Sequence, residues 1–363
     1  MASPPILDRL TRLSLFTEGE MREKRYIGID LHRRRFTCCV RLASGRNYLS
    51  EWNLQQLPEF AKRLRPTDEG AVEVTGNTRL FYEAVAPHVE RVVVVDPNQF
   101  RVISHSVKKT DLNDARNLAL YLAKGLLPEV RMKEQPQAEV ASLTQTRDRL
   151  VKLRTALKNK VNNLLSARGI ELEKEDLPSE KGLERVLGHD GLEGLAQVEL
   201  EIIVEEIRSL NRNIRRLEEV IEEAARKLPG YTNLTSIKGI GALGAGVLLS
   251  VIGDVKDFPE EGKLASYFGI VPRVQNSNET EHRGRITKRG TKLGRTTLVQ
   301  CALIAKRYSP YLNRYYEGIR ARRGTGKAII ALARKFLGIV YTTLKNNWVF
   351  EDFPNFVLAE VKT

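Results

Sequence analysis

Apolar and polar residues alternate in short runs from Tyr26 onward, and Tyr26–His32, Arg35–Leu42, Asn47–Asn53, Ala71–Thr75 and Arg91–Asp96 read as strands. Ala43-Ser44-Gly45 supplies the turn of a hairpin between the second and third of them. Helical spacing occupies Leu57–Leu64, Arg79–His88 and a stretch from Asp111 to Lys124. Strand, hairpin, then alternating helix and strand predicts an α/β domain with a mixed sheet over residues 25–135. Residues 1–24 carry no such pattern and read as a weakly ordered extension, with Met21 a second candidate start just ahead of the first strand.

The period changes in the middle of the chain. Leu143, Leu150, Leu157 and Leu164 recur every seven residues, and a polar stretch from Arg168 to Gly194 follows. Leu200, Ile203, Ile207, Leu210, Ile214, Leu217 and Ile221 then alternate steps of three and four, with Glu and Arg between them. This spacing predicts a coiled-coil region over 136–228, folded back as a hairpin or paired between subunits. In either form it is a long helical spacer, expected to join protomers into a homo-oligomer. From Pro229, Gly-rich turns, short helices and dense basic residues predict a mainly α C-terminal domain over 229–345, followed by a tail over 346–363.

Composition narrows the function. With 59 basic against 45 acidic residues, the 363-residue chain carries a formal charge of +14. No apolar run approaches the ~20 residues of a spanning helix. A soluble, cytoplasmic protein is therefore expected, and a membrane protein is excluded. The three cysteines, two of them adjacent (Cys38, Cys39), offer neither a disulfide framework nor metal-ligand spacing. Seven Lys or Arg fall within Arg273–Arg295 against Glu279 and Glu281, and nine within Lys306–Lys335 against Glu317 alone. Positive charge clustered in this way points to a nucleic-acid partner, whose phosphates it neutralises.

The acids are placed differently. Tyr26-Ile27-Gly28-Ile29-Asp30 is an apolar strand ending on a carboxylate, with Gly28 permitting close packing. Glu73 is flanked by strand residues in Ala71-Val72-Glu73-Val74-Thr75-Gly76-Asn77. In Lys109-Thr110-Asp111-Leu112-Asn113-Asp114-Ala115-Arg116, Asp111 and Asp114 share one face of a helix start. Four carboxylates from two strands and a helix form the hard-oxygen set that one or two Mg²⁺ ions require for in-line phosphoryl displacement. Each acid also has a purely structural alternative: Asp111 as a helix N-cap, Asp30 as a turn former, Glu73 as a surface acid. Further along, Ser236-Ile237-Lys238-Gly239-Ile240-Gly241 ahead of an apolar run to Ile252 has the form of a helix-hairpin-helix. Its glycines Gly239 and Gly241, with Lys238, would let backbone N–H groups approach a phosphate. The alternative is a tight turn between packed helices. Arg285, Lys288, Arg289 and Arg295 are further candidate phosphate contacts.

The strand Gly28-Ile29-Asp30, the segment Glu73-Val74-Thr75-Gly76-Asn77 and Lys109-Thr110-Asp111-x-x-Asp114-Ala115 together resemble the DEDD transposases. These are recombinases of the bacterial insertion-sequence family one-hundred-ten and its eleven-eleven branch. The resemblance spans roughly residues 25–345. It implies a RuvC-like, that is ribonuclease-H-like, N-terminal domain in which Asp30, Glu73, Asp111 and Asp114 are the metal ligands. It also implies a nucleophilic serine upstream of a basic segment. Pro272 to Glu279 leads here into Gly284-Arg285-Ile286-Thr287-Lys288-Arg289-Gly290, which puts Ser277 in that place. The family has Gly after this serine, whereas this chain has Asn278. Donor and target DNA, and a structured guide RNA, are the partners the resemblance implies. The separation of serine and carboxylates by a helical spacer suggests active sites shared between subunits. Two competing readings are a junction-resolving nuclease that uses water, and a nucleic-acid-binding scaffold whose acids are structural.

Overall fold

The computed structural model describes residues 22–97, 110–172, 177–189, 191, 193–277 and 280–360, with the side chains of 274–283 and 360 outside that description. Residues 1–21 of the expected N-terminal extension, Met21 among them, and Lys109 of the acidic motif lie outside the described residues. The chain divides into two compact units, Met1–Met132 and Lys133–Thr363.

The first unit is a mixed sheet of β1 (Arg25–Leu31), β2 (Arg35–Leu42), β3 (Asn47–Asn53), β4 (Glu69–Glu73) and β5 (Arg91–Val95). Its order is β3-β2-β1-β4-β5. β1, β2 and β3 pair antiparallel, whereas β1–β4 and β4–β5 are parallel. Strand alternation sorts the side chains onto two faces. Ile27, Ile29, Leu31, Phe36, Cys38, Val72, Val92 and Val94 cover one face beneath α1 (Leu57–Ala61) and α2 (Thr78–Val85). There Phe36 meets Phe60 and Phe81 edge-on, with ring centroids 5.0 and 5.5 Å away. The other face packs Ala71, Val93 and Val95 against Leu118 and Leu122 of α3 (Asp111–Ala123). At the start of β1 the buried Arg25 forks onto the fully buried Asp68, its Nε donating to Oδ1 at 2.7 Å and its second nitrogen to Oδ2. Asp68 Oδ2 also accepts from Arg65 N at 2.8 Å, so both charges are well satisfied inside the fold.

In the second unit, α4 (Gln135–Ser166) and α6 (Leu195–Arg226) are 32 residues each and flank the short α5 (Glu180–Leu187). Ion pairs Arg147–Glu218 and Lys160–Glu199, with Arg154 donating to Asn211, run in opposite chain directions, so the two long helices lie antiparallel. The apolar positions Leu200, Ile203, Ile207, Leu210, Ile214 and Ile221 are 9% exposed or less. The seam expected to join protomers is therefore covered inside one chain. Within the chain the stripe is buried in a hairpin of the two long helices.

The C-terminal part adds α7 (Tyr231–Thr235), α8 (Ala242–Ile252), α9 (Glu261–Tyr267), α10 (Lys292–Tyr308), α11 (Pro310–Arg323) and α12 (Thr325–Lys345). It also holds two hairpins, β6 (Pro272–Ser277) with β7 (Thr280–Ile286) and β8 (Trp348–Asp352) with β9 (Val357–Glu360). The second hairpin occupies the expected tail. Phe350 and Phe353 are buried in the helical core, and apolar burial of this size holds a terminal segment down. Cys38, Cys39 and Cys301 are buried free thiols; burial raises all three, Cys39 and Cys301 to about 11, so they act as small apolar side chains. Among the described residues no helix is long and apolar enough to cross a membrane.

Candidate active site

Gly28 determines how α3 meets the sheet. A Cβ at this position would lie 2.1 Å from the Ala115 carbonyl oxygen and 2.4 Å from the Ala119 nitrogen, so only glycine lets the helix backbone rest on β1. Two residues on, Asp30 emerges on the same face at the strand's end, its side chain 16% exposed. α3 begins where it can meet that carboxylate. Thr110 takes the N-cap position, its hydroxyl accepting from Asn113 N at 3.3 Å. Asp111 is thereby released from the capping role that was its structural alternative. Asp111 is 38% exposed at its side chain, and Asp114, one turn on, is buried. Ala115, fully buried against Gly28, completes the physical sense of the Thr-Asp-x-x-Asp-Ala motif.

Ligand atoms of Asp30, His32 and Asp111 all fall within 4.8 Å of one another. His32 Nε2 is 3.2 Å from Oδ2 of Asp30 and 3.2 Å from Oδ2 of Asp111, and Arg35 donates to that same Asp111 oxygen at 3.2 Å. Asp114 is close enough to act on Asp30. The Asp30 carboxyl is pushed above the ordinary range by burial first; His32 opposes this, and the charges of Asp111 and Asp114 add to it. Glu73 ends β4, one position beyond the Ile29–Val72 pair of the parallel β1–β4 ladder. It shares the sheet face of Asp30 on the adjacent strand, about 4.8 Å away across the ladder. It is not one of the three side chains in the tight group. Carboxylate oxygens with one imidazole suit Mg²⁺ or Mn²⁺, and a cation would offset the burial and the like charges that together raise Asp30.

Two family models match the chain. The DEDD transposase model of IS110 elements covers residues 27–168, and the model described as "Transposase IS116/IS110/IS902 family" covers residues 231–317. The transposase for insertion sequence element IS1111A of Coxiella burnetii is 27% identical, covering 94% of this chain and 97% of its own. The chain belongs to the IS110 family of transposases. A pilin gene-inverting protein of Moraxella bovis is 27% identical over 90% of this chain and 98% of its own. The transposase of element IS1328 of Yersinia enterocolitica is 25% identical over 89% and 98%. The five-stranded mixed sheet and the helical C-terminal region of this IS110-family transposase fit the ribonuclease-H-like family type.

Elsewhere in the transposase the expected site residues have varied surroundings. Ser277 is the last residue of β6, with its backbone paired to Thr280 across the hairpin; its side chain and Asn278 lie outside the described residues. Lys238, Arg285, Lys288 and Arg289 are exposed, and Lys288 takes a left-handed φ of 55°. Arg295 is half-buried and donates to the Phe268 carbonyl at 3.1 Å, so its first role is to hold a loop. Gly239, at φ 109°, has a packing reason to be glycine: a Cβ would come within 2.6 Å of Ala305 N and 2.8 Å of Cys301 O on α10. Gly241, the N-cap of α8, has open space at its Cβ position and remains the glycine that a phosphate could approach.

Sequence reasoning missed His32, Arg35 and the side-chain role of Asn77. The signal for His32 was available, because a residue two beyond Asp30 shares its face if the strand geometry continues. Asn77 sits at the N-cap of α2 but does not cap it. Its Nδ2 donates to the carbonyls of His32 and Arg33, each at 3.1 Å.

Proposed function

We propose that this transposase breaks and rejoins DNA strands with two chemical elements. The first is the carboxylate site of Asp30, Glu73, Asp111 and Asp114, loaded with Mg²⁺. The second is Ser277. The observation that carries the reading is the convergence of Asp30 and Asp111 from a strand end and a helix start, with Asp30 raised by burial and by like charge. A divalent cation held there supplies charge that stabilises the attacking and leaving oxygens of an in-line displacement. The acids hold and orient it, and β1 and α3 fix their separation. The Ser277 hydroxyl attacks phosphorus and forms a phosphoserine ester. The bond to the 3′ oxygen breaks, that oxygen leaves as a hydroxyl, and the serine proton passes to solvent or a neighbouring base.

Strand exchange is the outcome consistent with a family whose relatives are named for transposition and for gene inversion. Exposed Lys238, Arg285, Lys288 and Arg289 hold the duplex by its phosphates. A structured RNA from the element's own end guides the choice of DNA. Assembly of protomers uses surfaces other than the heptad seam, which is covered within the chain.

The test supplies purified protein with element-end DNA, target DNA, Mg²⁺ and the adjacent non-coding RNA. Asp30→Asn and Asp111→Asn should abolish cleavage. Wild type should yield a denaturation-resistant protein–DNA adduct that Ser277→Ala lacks. Cleavage that persists in Ser277→Ala without any adduct would make water the nucleophile. Cleavage that survives both Asp variants would refute the carboxylate site.

A further inference from the structure

The turn between β1 and β2 reads His32-Arg33-Arg34-Arg35, and all four residues are exposed between two strands that are otherwise largely buried. A hairpin tip is ordinarily the least restrained part of a sheet. This one is held by four hydrogen bonds. His32 N donates to Arg35 O at 2.9 Å and Leu54 N to Arg34 O at 2.9 Å. The Asn77 amide donates to the His32 and Arg33 carbonyls. An asparagine that leaves its helix uncapped to bind two carbonyls of a neighbouring loop fixes that loop's backbone, and with it the direction in which three arginines leave it.

The tip adjoins the acids. His32 touches Asp30 and Asp111, and Arg35 touches Asp111. Arg33 and Arg34 lie between these two residues in sequence, so their backbone sits on the same short turn as the residues that touch the carboxylates. If the three arginines served only to neutralise the acids, all three would pair with them. Among the described residues only Arg35 does, which leaves two guanidinium groups for a different anion beside the site. Guanidinium binds phosphate through two parallel N–H donors, and such contacts set the register of a strand without reading its sequence.

We propose that Arg33 and Arg34 are a phosphate grip, holding the DNA backbone beside the phosphodiester that meets the carboxylates. This rests on the reading that DNA is cut at those carboxylates. Each long guanidinium side chain on this fixed turn can hold a separate phosphate of the strand, which fixes the strand's position without reading its bases.

The experiment measures binding of the full-length protein to a labelled DNA duplex by fluorescence anisotropy as salt is raised from 50 to 200 mM. The proteins compared are wild type, Arg33→Ala/Arg34→Ala, Arg33→Lys/Arg34→Lys and Asp30→Asn. Losing two phosphate contacts should flatten the dependence of log affinity on log salt by about 1.8. The advantage of wild type over the Ala pair should then shrink about twelve-fold across that range. The Lys pair should restore the slope, and Asp30→Asn should keep it while losing cleavage. A Mn²⁺-induced rise in melting temperature, measured without DNA, should be the same in wild type and the Ala pair. An unchanged slope in the Ala pair overturns the grip. So does loss of its Mn²⁺ response, which would make the tip part of the cation site, and so does a slope change seen on an RNA duplex and absent on DNA. If Asp30→Asn still cleaves while the slope change stands, the carboxylate reading fails and the grip survives as a DNA contact.

Discussion

Gly28→Ala isolates the contact on which the carboxylate geometry depends. The new Cβ would sit 2.1 Å from Ala115 O, against 3.4 Å or more in an ordinary contact, so α3 must withdraw by about 1.3 Å. The opposing atoms are helix backbone, and no side-chain rotation relieves the overlap. Overpacking of this kind costs about 1–3 kcal/mol, or several degrees of melting temperature for a domain of this size. The functional cost should be larger. Asp111 and Asp114 travel with α3 while Asp30 stays on β1, and misplacing reacting groups by about 1 Å costs on the order of 10²-fold in rate.

Gly70→Ala on the adjacent strand is the matched control, since a Cβ there meets nothing nearer than 3.9 Å. Thermal melting with and without Mn²⁺, alongside a strand-cleavage assay, should separate the two variants. Gly28→Ala should melt lower, lose most of its Mn²⁺ response and cleave about a hundred-fold more slowly. Gly70→Ala should stay close to wild type. Trimming Ala119 to glycine should not rescue Gly28→Ala, because the Ala119 atom that clashes is its backbone nitrogen. If Gly28→Ala melts and cleaves like wild type, the helix does not rest on β1 as described.

Other outcomes follow from the same contacts. Asp30 has a folded pKa above its unfolded value, so metal-free stability should fall as pH rises above the ordinary carboxylate range and through the raised value. Asp30→Asn should accordingly raise the metal-free melting temperature at pH 7, with little effect near pH 4 and a smaller gap once Mg²⁺ is added; a lower melting temperature at pH 7 would contradict this. Asp68→Ala strands the buried Arg25 charge and should cost about 3–5 kcal/mol in urea unfolding. A loss below about 1 kcal/mol would mean that the pair is solvated. Gly239→Ala should destabilise the second unit through its clash with α10, whereas Gly241→Ala should leave stability unchanged and weaken DNA binding alone. Equal melting temperatures for these two variants would remove the packing account of Gly239.

The strands β1, β2, β4 and β5 were legible as short, nearly continuous apolar runs because both of their faces are largely buried, whereas the edge strand β3 is mostly open and was marked by its place after the hairpin turn. The acidic motif was legible for a related reason. Thr110 caps, Asp111 and Asp114 share a turn, and Ala115 fits beneath Gly28, so each residue type answers a local demand. What stayed hidden depends on distant partners. The heptad positions of α6 identify a buried stripe, but Arg147–Glu218 and Lys160–Glu199 decide that the covering helix comes from the same chain. Gly239 reads equally well as a phosphate-approach glycine or a packing glycine until α10 is found against it. His32 and Asn77 belong to the same class. Neither has a periodicity or a spacing of its own, and their meaning arises only when the β1–β2 turn and the start of α2 are brought together by the parallel pairing of β1 with β4. Periodicity states which surface is covered. The identity of the cover is set by topology, and in this transposase the side chains nearest the chemistry are placed by that second kind of information.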